Sequence, residues 1–368
     1  MKKLIYIAFA ALAALTACTK VEMDNYAPQR KVTFQVASYA PQTKANSSMW
    51  TLGSSPSFTA KAFLHADGYT GETQDFFGTD ANNHIETITP YMNDGTAATA
   101  ETNTSYWGPS HDYYWPKSSN SYINFIAWRG ATPATATEAS LSWTDYTVQS
   151  TDDLVYADEA WHYNVNTTNA SQYTDDAVTS GVPMLFHHAL ARVAFKANAT
   201  NVTNGDFTRS VAIRNFSLST VYNTGSLAMT NEGSTDTATV PWTVTGNVWT
   251  TSGTAAAMVA NIASGSSVSV STTVIDLIAM QTVLPQAVTN DMMLSINYDI
   301  VTTKNSTEFS VEHITYSKKL IELVPVITSW EMGHEITYTL VFDLTTDLIT
   351  IQPTIETWEY NGGNVTVE

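Results

Sequence analysis

The chain has 368 residues, a net charge of −18 and only 14% charged side chains. So acidic a balance argues against a nucleic-acid partner, because phosphate binding needs clustered Lys and Arg. A single cysteine, Cys18, excludes an intramolecular disulfide framework, and a charge-poor chain rich in Thr, Val and aromatics favours strands over helices.

Lys2 and Lys3 precede an apolar run over residues 4–14, and small residues then lead to Leu15-Thr16-Ala17-Cys18. A basic start, a short apolar stretch and small residues before a cut mark a secretory signal. The run is too short for a transmembrane helix, which needs about 20 residues. Residues 1–17 are therefore expected to be a signal peptide. Residues 19–30 are polar, contain Pro28 and read as a tether. Over 31–36 polar and apolar residues alternate, which places Val32, Phe34 and Val36 on one face of a half-buried strand. The following loop, 40–48, carries a single basic residue, Lys44, followed by Ala45.

From residue 57 onward, short aromatic or β-branched runs are separated by turn residues, as at 58–64, 113–116 and 122–128. Residues 122–128 are apolar on both faces, which fits a central strand. The spacing predicts an all-β chain of β-sandwich type. Its length suggests two domains, with a boundary near Pro183: an N-terminal sandwich over 45–183 and a C-terminal sandwich over 184–368. Further strands are expected at 184–196, 211–216, 257–262, 268–275, 293–300, 307–316 and 337–344. A last one covers 348–358, where Pro353 belongs at an edge. Gly362 and Gly363 make a turn before a short strand holding Val365 and Val367.

Few motifs carry chemistry. His187 and His188 are adjacent, so on a strand they point to opposite faces and do not chelate one metal. No nucleophile elbow, phosphate loop, zinc motif or dinucleotide fingerprint is present. No cofactor or metal is expected, and an enzyme ranks last among the function classes. The cluster Trp107, Tyr113, Tyr114 and Trp115 supports a second reading. Aromatic faces stack on sugars, so Trp107 and Trp115 become candidate glycan contacts on a surface lipoprotein, weighed against simple core packing. The 31–36 strand suggests a mechanism. A protease cutting after Lys44 would release tether and strand together. That would leave unpaired backbone N–H and C=O groups over an apolar floor, a template for another chain's strand.

Several segments together resemble the fimbrillin family of Bacteroidales, the type V pilins and their Mfa-like relatives. They are the Leu-Thr-Ala-Cys lipobox at Cys18, Val32-Thr33-Phe34 followed by Thr43-Lys44-Ala45, and Tyr114-Trp115-Pro116 leading to Ile123-Asn124-Phe125. They continue with Asp153-Leu154-Val155-Tyr156-Ala157, Leu185-Phe186-His187-His188, Leu284-Pro285-Gln286, and Trp330 with Gly333 and Tyr338. The resemblance implies two tandem transthyretin-like β-sandwich domains and export to the outer membrane with a lipid on Cys18. In polymerising members an arginine-specific protease cuts after the first strand. The matching position here is Lys44, not Arg, so 18–44 would be a lipidated propeptide. The donor strand would come from the next subunit's C-terminal region, here about 354–368, with Ile355, Trp358, Val365 and Val367 as its apolar residues. The partners implied are other fimbrial subunits, the outer membrane, and a receptor on a host or bacterial surface. The expected role is a structural subunit or adhesin of a cell-surface fimbria.

Overall fold

A computed structural model describes residues 32–38, 57–65, 73–77, 85–91, 106–109, 111–115, 121–149, 152–163, 181–200, 203–231, 239–346 and 348–358. Cys18, Lys44, Ala45, Val365 and Val367 lie outside the described residues. The described chain is built almost wholly of strands, with one four-residue α-helix, Leu320–Leu323, and a three-residue 3-10 turn, Thr245–Asn247.

The first half, joined by Thr239–Val240, forms a sheet of ten strands. Phe34–Ser38 runs parallel to Val182–His188 on one side and meets Tyr106–Pro109 at Phe34 and Trp107 on the other. From there the pairing passes through Ile85–Tyr91 to Phe58–His65. Phe58–His65 also pairs along seven positions with Tyr122–Arg129, which joins Val155–Ala157 and so returns to Val182–His188. The hydrogen-bond path therefore closes on itself, and the leading strand Phe34–Ser38 is one stave of the ring. Closure removes two of the free edges that a sheet would otherwise present. Alternation sets the lining. Phe34, Phe58, Ala60, Ala62, Ile88, Trp107, Ile123, Phe125, Ala127, Val182, Met184 and Phe186 belong to one buried cluster. Tyr122–Arg129 is buried at each of its six inner positions, because Ile126 and Trp128 pack outward into a second cluster. It is the central strand that the sequence predicts.

That second cluster lies against a smaller sheet, ordered Thr250–Ser252, Thr224–Thr230, Ser140–Thr147, Thr135–Thr137. Here the expected boundary at 183 gives way. The strand Val182–His188 belongs to the first sheet, while Thr224–Thr230 and Thr250–Ser252 return from the second half to pair with Ser140–Thr147 and with each other. The expected single strand at 184–196 is likewise two, because the chain turns at Ala189 and Leu190 before Ala191–Thr200 begins. Leu190 and Ala189 are fully buried, so apolar content alone did not reveal the turn.

The remaining residues form a sandwich. One layer runs Ile275–Val283, Ala191–Thr200, His334–Asp343, Leu348–Thr357. The other centres on Phe207–Val221, Met293–Lys304 and Thr307–Lys319. Between them a single large cluster holds Phe195, Phe216, Tyr338 and Phe342 at 2% exposure or less. Pro353 sits in the outermost strand of its layer, where a residue without an N–H is tolerated. The expected strand over 268–275 is two pieces, Val268–Val270 and the start of Ile275–Val283, which belong to opposite layers.

Candidate functional site: the slot of the leading strand

Val32 and Phe34 are 2% and 0% exposed. Val32 donates its amide to the Tyr113 carbonyl at 2.8 Å, and the Thr33 carbonyl accepts from the Val182 amide at 2.8 Å. Five register pairs, from Phe34 opposite Val182 to Ser38 opposite Phe186, hold the strand in parallel. Val36 lies in that ladder opposite Met184. The Phe34 ring is met edge-on by three others: Phe125 at 5.4 Å, Phe58 at 6.0 Å and Phe77 at 6.4 Å between centroids. Such edge-to-face pairs add about 0.5–1.5 kcal/mol each beyond area burial. The sequence places Val32 and Phe34 on a common buried face, and the structure brings both into the first cluster.

Sequence reasoning missed Gly181. Its φ is +88°, and a Cβ there would fall 2.7–2.9 Å from three backbone atoms of Phe34. Side chains rarely adopt that backbone, and real Cβ atoms do not approach so closely. Gly181 therefore lets the leading strand lie flush. Gly181→Ala is expected to cost the precursor about 2 kcal/mol or more, from a strained φ and the displaced strand. Hydrogen exchange at the 34–38 amides should accelerate. Unchanged protection would mean that the close approach is absent.

The two candidate glycan contacts are core residues. Trp107 is 8% exposed and packs 5.7 Å from Phe58, and Trp115 is 2% exposed and packs edge-on to Phe125 at 5.9 Å. Stacking on a sugar needs an open ring face, and both rings are buried in the first cluster. The core-packing reading of the aromatic cluster replaces the glycan one at these residues.

The expected donor residues divide. Ile355 is paired with Ile336 and packs on the large cluster of the second sandwich. Trp358 follows directly and turns into the second cluster of the first half. Its ring stacks on His188 at 4.0 Å and 3°, and the Arg192 guanidinium lies 5.3 Å from its centre. Its amide donates to the Gly333 carbonyl at 2.6 Å. His188 in turn sits 2.8 Å from Asp153, and Arg192 is held by Glu335 at 2.5 Å. These two residues are therefore fixtures of their own subunit. His187 turns the other way, to Tyr156 and Asp158, so the adjacent histidines do not converge.

Leu284-Pro285-Gln286 joins the halves. Leu284 is fully buried in the cluster of the first half, and the Pro285 carbonyl accepts from the Trp249 amide at 3.0 Å. Gln286 is 1% exposed. Its Oε1 accepts from the Tyr222 amide, and its Nε2 donates to the Tyr222 and Leu284 carbonyls. Those bonds satisfy the backbone where the chain crosses from one half into the other, where an unmet group would be costly.

An all-β chain of two packed units, with an N-terminal strand captured as a stave of the first, is the class that these features define. A family model described as fimbrillin-like matches residues 70–358, and the chain belongs to the fimbrillin-like family. Among solved structures it is similar to a fimbrial protein from Bacteroides vulgatus, with 18% identity, a TM-score of 0.53 and coverage of 90% of this chain and 100% of that one. It is also similar to a candidate cell adhesion protein from Bacteroides uniformis, at 15% identity and a TM-score of 0.44, over 89% of this chain and 99% of that one. The tip fimbrial protein Mfa3 from Porphyromonas gingivalis aligns at 7% identity and a TM-score of 0.30, over 83% of this chain and 95% of that one. No curated protein matches. Among the described residues no group of three or more His, Cys, Asp or Glu side chains is placed to hold a metal ion.

Proposed function

We propose that the protein is a subunit or adhesin of a cell-surface fimbria, delivered as an outer-membrane lipoprotein through Cys18. Cleavage after Lys44 frees its leading strand, and a strand from a neighbouring subunit takes the vacated slot. The observation that carries this reading is the seat of Phe34–Ser38. It is an N-terminal strand that completes a closed ring and whose ladder partners, Val182–Phe186, lie about 150 residues away in sequence. The stretch between Ser38 and Ser57 holds one basic residue, Lys44, so a single cut at a Lys-directed site separates the stave from the body.

Losing the stave uncovers the row of backbone groups on Val182–Phe186 and the apolar lining behind them. Main-chain hydrogen bonds then supply affinity for an incoming strand, and the side-chain pockets set its register. With Ile355 and Trp358 engaged in their own subunit, the donor part of this chain would lie beyond Trp358, in a stretch that includes Val365 and Val367.

The test uses full-length, lipid-free precursor treated with trypsin under native conditions. Cleavage near Lys44 should produce higher oligomers on gels, and Lys44→Ala should abolish assembly in cells. Cleavage without oligomers, together with normal assembly of the Lys44→Ala chain, would contradict strand exchange.

A further inference from the structure

One layer of the second sandwich ends in Thr307–Lys319, a strand of 13 residues that pairs only with Met293–Lys304 among the described residues. That pairing is unbroken over ten positions, from Lys319 to Ser310, and its single irregularity comes after them. The strand contains neither proline nor glycine. A long, regular edge with an unused row of backbone N–H and C=O groups is a template for one more strand. Leu348–Thr357, the outer strand of the facing layer, is different, because Pro353 in its middle has no N–H to offer.

The side chains along Thr307–Lys319 are arranged to meet their own copy. Glu312 and Lys318 are exposed, and neither is in an ion pair among the described residues. Ile314 and Tyr316 lie opposite Tyr298 and Ile296, on the face turned to the large cluster, and pack half-buried on its margin. Two copies related by a two-fold axis perpendicular to the sheet run antiparallel along this edge, and opposed residues then share a face. With Thr315 opposite its own copy, Glu312 meets Lys318 and Ile314 meets Tyr316, each twice by symmetry. Both pairs fall in one register, and all four residues lie on one face. A shift of two residues in one direction sets Glu312 against Tyr316, and in the other direction Ile314 against Lys318. Opposite charges and aromatic–β-branched pairs directly across two strands are favourable, and like charges there are not.

We infer that the edge Thr307–Lys319 is a self-pairing surface. A second copy of this chain adds antiparallel to it over residues 311–319 and joins the two sandwiches into one continuous sheet. The partner is an identical subunit, and the contact is edge to edge on the second sandwich, not at the slot of the leading strand in the first half. It needs neither cleavage at Lys44 nor strand exchange, so it stands apart from the function proposed above.

The experiment follows uncut, lipid-free precursor by sedimentation equilibrium at about 0.15 M salt, where long-range repulsion between chains of charge −18 is largely screened. A reversible monomer–dimer equilibrium is expected. Glu312→Lys or Lys318→Glu alone sets like charges opposite each other twice and should weaken the dimer roughly tenfold. The double reversal restores both pairs and should return to within about threefold of the wild type. Register is read separately, in chains that also carry Cys18→Ser. Thr315→Cys should give a disulfide-linked dimer under mild air oxidation, because directly opposed Cα atoms lie about 4.5–5.5 Å apart and a disulfide spans about 4.4–6.8 Å. Val311→Cys should not, because Lys319 stands opposite it. A chain monomeric up to about 1 mM would overturn the inference. So would a double reversal as weak as the single ones, a dimer indifferent to all three charge changes, or cross-linking of Val311→Cys in preference to Thr315→Cys.

Discussion

Replacing Phe34 by Ala in the uncut precursor is expected to lower its stability by about 3–5 kcal/mol, the usual cost of emptying a buried phenylalanine site. The site cannot close up, because its walls are strands of a ring tied together at both ends of the hydrogen-bond path. The three surrounding rings also lose their shared partner. For a unit of this size the melting temperature should fall by roughly 10 °C. The stave reading adds a condition that an ordinary core mutation does not meet. Once the chain has been cut after Lys44 and the strand removed, Phe34→Ala and wild type are the same molecule, so the difference should vanish. Thermal unfolding before and after cleavage measures both halves of the prediction. A persistent difference after strand release would show that Phe34 acts elsewhere, and a drop of less than about 2 °C before cleavage would show that the slot is not tightly filled.

Glu159→Gln is expected to stabilise the protein. Glu159 is fully buried, its Oε2 accepts from Asn231, and its Oε1 has no hydrogen-bond partner. Burial, with added repulsion from Glu138, pushes its carboxyl up from 4.5 to about 9. The folded protein therefore binds a proton that the unfolded chain releases above its own carboxylate range. Stability is complete below about pH 4.5 and declines as pH rises towards 9, the opposite of a salt-bridged acid. At pH 7 the deficit is roughly 3 kcal/mol as an upper figure, at 1.36 kcal/mol per pKa unit. Gln carries no such proton, so its advantage should be small near pH 5 and grow steadily towards pH 9. Melting curves of the two proteins across that range decide the matter, and parallel curves would remove Glu159 as the titrating group.

Glu159 also shows why part of the molecule escapes sequence reading. It is one acid among 34 acidic residues in a chain of net charge −18, and nothing beside it in sequence says that Glu138 lies close in space. The elements most legible in the sequence were those whose partners are local or whose pattern is strong. The alternation at Val32 and Phe34 marked a half-buried strand, the two-sided apolar run at 122–128 marked a central one, and Pro353 marked an edge. What the pattern could not supply was pairing across long separations. Phe34–Ser38 lies beside Val182–His188, and Thr224–Thr230 returns to Ser140–Thr147, because those pairings close a ring and cover its outer face. A period-two pattern says which side of a strand is buried and is silent on which strand lies next to it. Trp107 and Trp115 misled for a related reason. A tryptophan that stacks on sugar and one that lines a slot have the same composition, and only burial separates them. Trp358 reads as the end of a strand, yet its ring leaves that strand's sandwich and enters the other half.

That last placement bears on assembly. The final residue described lies against His188, two positions beyond Phe186, where the leading strand's ladder ends. Trp358 and the end of the leading strand's ladder thus meet the same strand, Val182–His188.

The most direct measurement is the N-terminal residue of this protein recovered from fibres on the cell surface. The account predicts a chain beginning at Ala45, with signal, lipidated tether and leading strand all gone. A fibre-bound chain that still begins at a lipidated Cys18 and retains Phe34 would contradict it, since the slot would then never have been vacated.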